Sequence, residues 1–572
     1  MRSWYVLWLC GLAAAPALAQ NVELAPISVV SEPVGRSGSG GFSAFSLAPE
    51  YMAEQSSGVD VQRNISYGML QDVSIRGGMF EDADVSLNGV PLNNPQTGHF
   101  NLSLPAVSLD LDRASADLNG QQLRYRLRPL RNTGNVFRTS SGNRGYLDGA
   151  FSTTFNQEER WHRFSLEGMR TDGLRDETDA EKYAAAYTFE HQADDSSVMV
   201  YAALSDKDFG ADGAYAAPWY LREAEKIKQE FVMADIQVFE DSYQWKVAPY
   251  VHRTQDTFWL DRDNPSFYRN DHASYVMGNT LGVQSLDYAF FAELENRREY
   301  LRSTNLGERE RYEHHLTAGA RQQEIGPFRY DAALDTGYFD GFPARLSPRA
   351  ALFYDFLDAW TLYTKAERKY RNPSFTELYY TSPSNIGNAG LQMQRTDNYE
   401  TGLLYKQDRW NAGGDIFLRD QKDTIDWVRN TGETVFRAVN AGEADVRGFD
   451  LFGEWTAGQA WLETVKLSYT RMDIDKDRAF DESKYVFDYL RDRVVLELKN
   501  TSSRWDYGLR LAYEYHVDFK QRWLLGGEGT YHVNSDCDIF VAAENMFDSD
   551  YQEYRYIQGD PFFVKSGVEI RF

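Results

Sequence analysis

From about residue 133 onward, hydrophobic and polar residues alternate with a period of two, in runs of roughly ten residues separated by polar turns. In the clearest run, Trp505, Tyr507, Leu509, Leu511, Tyr513 and Tyr515 alternate with Asp506, Gly508, Arg510, Ala512, Glu514 and His516. Phe449, Leu451, Gly453 and Trp455 alternate likewise with Asp450, Phe452 and Glu454, and Val494, Leu496 and Leu498 are interleaved with Glu497 and Lys499. In the last eleven residues, Phe562, Val564, Ser566, Val568, Ile570 and Phe572 point one way, and Lys565, Gly567, Glu569 and Arg571 mostly the other. A soluble sandwich edge accounts for one such strand. Repeated as far as residue 572, the pattern predicts a transmembrane β-barrel, whose lipid-facing and lumen-facing residues alternate.

Two kinds of connection alternate between the runs. Short turns fall at Ala193–Asp195, Asp241–Tyr243, Leu357–Asp358, Asp408–Arg409, Gly458–Gln459, Ser502–Arg504 and Ser535–Asp536. Longer polar stretches run from Asp206 to Glu225, Asp261 to His272 and Arg371 to Thr396. Bacterial barrels carry short periplasmic turns and longer extracellular loops. Opening at Gly134-Asn135-Val136-Phe137, the count comes to about 22 strands, a size class whose lumen is plugged rather than open. The predicted fold is therefore an all-β transmembrane barrel of about 22 antiparallel strands with a small N-terminal α+β plug domain filling the lumen.

The first 132 residues read differently. Arg2, the apolar stretch Trp4 to Leu12 and the small-residue site Ala17-Leu18-Ala19 predict a signal peptide over residues 1–19, the apolar run being too short to span a bilayer. Residues 20–42 include a Ser/Gly-rich stretch from 31 that reads as a flexible linker. Residues 43–132 hold short strands such as Asp72–Arg76 and Asp84–Leu87, suited to a compact plug, and 133–572 form the barrel. With the signal removed, Cys537 is the only cysteine, so no internal disulfide is expected.

Composition agrees with a barrel and narrows the partners. Tyr, Phe and Trp make up 15% of the chain, an excess suited to aromatic girdles at membrane interfaces in contact with outer-membrane lipids. A mean hydropathy of −0.56 does not argue against a membrane, because only every second barrel residue faces lipid. The formal charge of −25 excludes nucleic acid as a natural partner. Spread over loops and lumen, it favours cations or cationic ligands, or serves as a solubilising surface.

Several motifs resemble those of the TonB-dependent outer-membrane receptors. Ile27-Ser28-Val29-Val30 resembles the family's energy-coupling box, a β-prone segment on a tether that can add a strand to a periplasmic partner. Ser74-Ile75-Arg76-Gly77-Gly78 with Val85-Ser86-Leu87-Asn88-Gly89-Val90-Pro91 resembles the plug's paired strands, and Asn93 to Leu102 the plug segment of cobalamin-type and related receptors. In the barrel, Arg371-Asn372-Pro373-Ser374-Phe375-Thr376-Glu377-Leu378, Asn398-Tyr399-Glu400-Thr401-Gly402, Asn440 to Asp450 and Glu544-Asn545-Met546-Phe547-Asp548 are similar to family signatures. Two departures stand out: Gln122 to Arg131 replaces the usual glycine-rich end of the plug, and Met393-Gln394 replaces a Pro-Glu pair.

The resemblance implies a ligand site between plug apex and extracellular loops. Asn94, Gln96, Thr97 and His99 would contact a polar chelate there through amide, hydroxyl and imidazole groups, or else build the turn and the plug–barrel contacts. Asp206, Asp208 and Asp212 stand in an acidic, glycine-containing stretch that could hold Ca²⁺, as loop calcium does in cobalamin-type receptors, although Lys207 intrudes and the spacing is not that of an EF-hand. Arg76 is expected to lock the plug to the barrel wall. His162, His191 and His314-His315 lack metal-site spacing, and no carboxylate sits beside a nucleophile and base, so neither a required cofactor nor an enzyme is expected.

The expected function is active import across the outer membrane of a Gram-negative bacterium, by a monomer coupled to a TonB-type periplasmic energy transducer. The ligand would be a metal chelate or a corrinoid, an iron–siderophore and a cobalamin-like complex being equally compatible. A passive or surface-binding barrel without energised transport is the alternative.

Overall fold

The computed structural model describes residues 48–99, 102–132, 134–215, 222–459, 461–476, 480–484, 489–519, 521–554 and 557–572. The signal peptide, the linker and Ile27 to Val30 lie outside the described residues. Twenty-two antiparallel strands close into a barrel in which the first, Val136–Gly142, pairs with the last, Phe563–Arg571, setting Thr139 opposite Val568. Closure leaves no sheet edge, so the barrel satisfies its own backbone polar groups in an apolar medium.

The period of two places side chains as the sequence predicts. On strand Trp505–His516, Asp506, Ala512, Glu514 and His516 are buried toward the lumen, whereas Trp505 and Leu509 are exposed outward. Aromatic pairs Trp505–Tyr531 and Tyr513–Trp523, with ring centroids 4.5 and 4.9 Å apart, bracket Leu509 along this surface. The two girdle positions are separated by roughly 26 Å along the strand, or about 20 Å after strand tilt, close to the height of an outer-membrane apolar band.

Strand ends depart from the expectation. The polar stretch beginning at Asp206 was expected to be loop, but strand Ser196–Gly210 runs through it, and Arg269–Ser285 and Trp360–Arg371 likewise absorb residues assigned to loops. The reason is length. Strands such as Tyr243–Trp259 have 17 residues and Gly307–Ile325 has 19, whereas about 9–11 suffice to cross the apolar layer. Beyond that layer the outer face meets water, so the ladder continues without apolar alternation.

The plug fills the lumen. Helix α1 (Pro49–Ala53) precedes the antiparallel pair β1 (Val59–Ile65) and β2 (Leu70–Ile75). A second sheet, β3 (Asp84–Leu87), β4 (Val90–Pro91), β5 (Leu111–Asp117) and β6 (Gln122–Leu127), has the order β4-β3-β6-β5, with β3 and β6 parallel. Asn88 and Gly89, at φ 49° and 82°, make the two-residue turn of the β3–β4 hairpin. The atypical stretch Gln122 to Arg131 thus supplies an inner strand: Leu123, Tyr125 and Leu127 enter the plug core. Strand β6 replaces glycine-rich chain with ordinary sheet packing.

The plug meets the wall through two unlike faces. Its core continues into Ala184, Ala203, Phe231, Met233, Tyr250 and Val276 of strands lying between residues 180 and 285. Toward the strands between residues 394 and 532 it instead presents charges. We predict that Leu509→Arg, which sets a charge between the two aromatic pairs, destabilises the barrel by about 2–4 kcal/mol. Denaturant unfolding from lipid vesicles would measure this.

Candidate functional site

The charged face is built from two clamps. At the first, Arg76 sits in left-handed backbone (φ 47°) at the end of β2, with Gly77 (φ 67°) turning the chain behind it. A Cβ on Gly77 would come within 2.7 Å of Met472 Sδ, so the turn has no room for a side chain. The buried Arg76 guanidinium donates to Glu400 at 2.6 Å, Asp415 at 2.7 Å and Asp450 at 2.8 Å, on three successive barrel strands. It also stacks on Phe417, 4.1 Å from the ring centroid. This is the lock to the barrel wall expected of Arg76.

The second clamp is a closed ring of six alternating charges. Glu54, at the end of α1, pairs with Arg63 of β1 at 2.6 Å and with Arg493 of the barrel at 2.9 Å. Arg493 pairs with Glu514, Glu514 with Arg522, and Arg522 with Glu553 at 3.0 Å. The backbone N–H of Arg63 closes the ring by donating to Glu553 at 2.9 Å. Plug, wall and the segment preceding the last strand are thereby joined. Burial alone would raise the Glu54 pKa, but Arg63, Arg493 and Arg510 outweigh it and bring it down to about 2.

The plug apex is seated on the loop between strands Trp360–Arg371 and Gln394–Gln407. Ser374 caps the short helix α2 (Phe375–Tyr379): its hydroxyl accepts from Glu377 N–H, and the Glu377 carboxylate accepts from Ser374 N–H at 2.7 Å, a capping box. The first helical N–H groups, of Phe375 and Thr376, then donate to the carbonyls of Pro95 and Gln96, each at 2.9 Å. Arg371 bridges Glu377 to Asp82 of the plug, and Asp82 also accepts from Gln394 and Gln421. The mid-barrel signature is therefore the seat of the apex. Next to it, burial and the neighbouring Glu377 hold Glu81 well above the usual carboxylate range.

Of the residues selected from sequence, Asn94, Gln96, Thr97 and His99 come together on one apex loop, with much of their polarity already used. Asn94 Oδ1 accepts from Gln96 N–H, and Thr97 Oγ1 from His99 N–H. His99 binds Asp72 at 2.8 Å and stacks on Phe80. Gln96 is buried and its Oε1 has no partner. The structure does not gather Asp206, Asp208 and Asp212. Asp206 and Asp208 point outward from their strand toward Lys226 and Lys228 at 3.2–3.4 Å, whereas Asp212 lies past the strand end. Among the described residues, no set of three or more His, Cys, Asp and Glu side chains is arranged to hold a metal ion.

Sequence reasoning missed the ring, Asp82 and the wall facing Gln96. Each is assembled from distant strands, and the available signal, an inward acid or base on an alternating strand, is common to most of the barrel.

Two outcomes follow from the clamps. Arg76→Ala leaves Asp415 and Asp450 converging without their guanidinium and Glu400 with Lys365 alone, a loss of about 3–5 kcal/mol; protease should then cut the plug while the barrel resists. Glu54 has a folded pKa below its ordinary 4.5, so its contribution is present above about pH 4.5 and is lost as pH falls toward about 2. Hydrogen exchange in α1 should rise over that window in the native chain, and Glu54→Gln should abolish the step.

Comparison with known proteins agrees with this architecture. The family described as TonB dependent receptor-like, beta-barrel matches residues 80–561. Among solved structures, the chain is similar to the copper transporter OprC, at 14% identity and TM-score 0.77 over 92% of this chain and 96% of that one. It is also similar to the FrpB iron transporter from Neisseria meningitidis (F3-3 variant), at 12% identity and TM-score 0.72 over 92% and 96%. A third likeness is to a point mutant of the ferric enterobactin receptor PfeA from Pseudomonas aeruginosa in complex with enterobactin, at 13% identity and TM-score 0.73 over 94% and 98%. At these identities the structural likeness speaks for the fold, and the family match covers most of the chain. This chain belongs to the TonB-dependent receptor family.

Proposed function

We propose that the protein is an energised importer in the outer membrane of a Gram-negative bacterium, taking up a scarce ligand too large for passive pores. The observation that carries this reading is a lumen filled by a plug that is clamped rather than merely lodged. Arg76 and the Glu54 ring hold it by buried charges, and α2 caps its apex. A lumen occupied by a clamped plug opposes passive diffusion, and ligand binding energy alone is a poor source for breaking several buried ion pairs in each cycle. An external pull is the natural remedy. Ile27 to Val30, upstream of α1, is the segment a TonB-type transducer would grasp by strand addition.

Metal chelates are the ligands this reading favours, since proteins of the same fold include a copper transporter, an iron transporter and a ferric enterobactin receptor. A corrinoid belongs to the same size class. Deleting Ile27 to Val30 should abolish uptake of the ligand by whole cells while leaving its equilibrium binding to purified protein within about twofold of the parent. Uptake that survives the deletion would instead assign a passive or surface-binding barrel.

A further inference from the structure

Between the plug apex and one sector of the barrel wall, buried carboxylates collect without a lysine or arginine partner. Strands Ala224–Phe239, Tyr243–Trp259 and Arg269–Ser285 turn Glu225, Asp256, His272 and Ser274 into the lumen, with Asp256 directly opposite His272 across the strand pair. The plug adds Asp72 and Gln96. The Gln96 amide lies against Asp256, and both Asp72 and Asp256 stand within Coulombic reach of Glu225. Tyr215 donates to Glu225 at 2.6 Å and meets the His99 ring edge-on, 6.3 Å between centroids. Among the described residues, Glu225 and Asp256 form no ion pair with lysine or arginine. The contrast with the two clamps, where every buried carboxylate meets a guanidinium, is sharp.

A second observation is independent of charge. Asp72 Oδ1, Gln96 Oε1, Asp256 Oδ1, His272 Nδ1 and Ser274 Oγ have no hydrogen-bond partner, although each side chain is more than nine-tenths buried. Carboxylate and amide oxygens can only accept, the Ser274 hydroxyl can donate or accept, and His272 Nδ1 accepts in one of the two neutral tautomers. Buried polar atoms left without a partner are costly. What this wall lacks is a set of hydrogen-bond donors that carry positive charge.

We propose that this wall is the recognition site for a cationic ligand that brings its own N–H or O–H donors. A metal cation wrapped in ammine or water ligands and a protonated polyamine share that chemistry. An unwrapped metal ion fits less well, because among the described residues no inner-sphere cage of His, Cys, Asp and Glu is arranged. An anionic ferric chelate would set like charge against Asp72, Glu225 and Asp256, and is selected against by repulsion. The proposal deepens the reading of the chain as a ligand receptor and rests on it.

Calorimetric titration of the purified full chain with hexaamminecobalt(III), with spermidine and with a ferric tris-catecholate tests the site, and the first two titrations distinguish the sources of the cation. One cation is expected to bind more tightly than the catecholate. Asp256→Asn and Glu225→Gln should each weaken that binding by about tenfold or more, while Asp256→Glu retains it. The neutral variants remove charge that has no partner, so their melting temperature in the absence of ligand should not fall, which separates lost recognition from misfolding. Absence of binding by both cations, tighter binding of the catecholate, or neutral variants that bind like the parent would overturn the proposal. The titration involves no transducer, so failure of energised uptake leaves it standing. Box-dependent uptake of an anionic chelate would sink this site alone.

Discussion

A closed barrel in an apolar medium has only one place to put its charges. Alternation commits every second residue of every strand to lipid, so whatever ionises on the strands must face the lumen or stand beyond the membrane. In a wide barrel that lumen could hold water; here it holds a folded domain, and each inward charge must find a partner in it or lose free energy. Arg493, Glu514 and Arg522 are buried and partnered for this reason, as are Glu400, Asp415 and Asp450 around Arg76. Plug and barrel are thus two halves of one electrostatic structure, in which neither surface is satisfied without the other.

This dependence explains what the sequence could disclose. The outward face obeys a local rule, so Leu451, Leu509 and Ile570 identify themselves by alternation with Asp450, Arg510 and Glu569, and the strand count and closure at Val136 follow. Strand ends obey no such rule once the outer face leaves the apolar layer, which is why Asp206 and Asp208 read as loop yet lie in a ladder with Lys226 and Lys228 outside the barrel. Inward residues answer to partners hundreds of positions away. Glu54 is matched by Arg493, and Arg76 by Asp450, and no window of sequence contains both members of either pair.

Motifs were legible in proportion to how local their physics is. Ser374 and Glu377 form a capping box within four residues, so the segment announces a helix start. That the helix presents its free N–H groups to Pro95 and Gln96 is a tertiary fact. Asn88-Gly89 likewise declares a hairpin by its φ requirements alone. Gln122 to Arg131, by contrast, looked anomalous only against a glycine-rich expectation. Its own alternation, with Leu123, Tyr125 and Leu127 turned inward, is that of an ordinary strand, and the plug uses it as one.

The two unlike faces of the plug respond oppositely to water. Coulombic attraction across the clamps falls as the local dielectric rises, so a guanidinium and a carboxylate that water can reach separate with little loss. The apolar contact with Phe231, Met233, Tyr250 and Val276 gains its strength from water and strengthens relative to the clamps when the lumen wets. A force applied at the N-terminal side of α1 acts first on Glu54, a member of the charged face. Once one pair in the ring opens, its partners are left as buried charges that draw water in, weakening the next pair in turn. Under such a force the charged face would yield first, from the α1 end, before the apolar contact with the strands between residues 180 and 285.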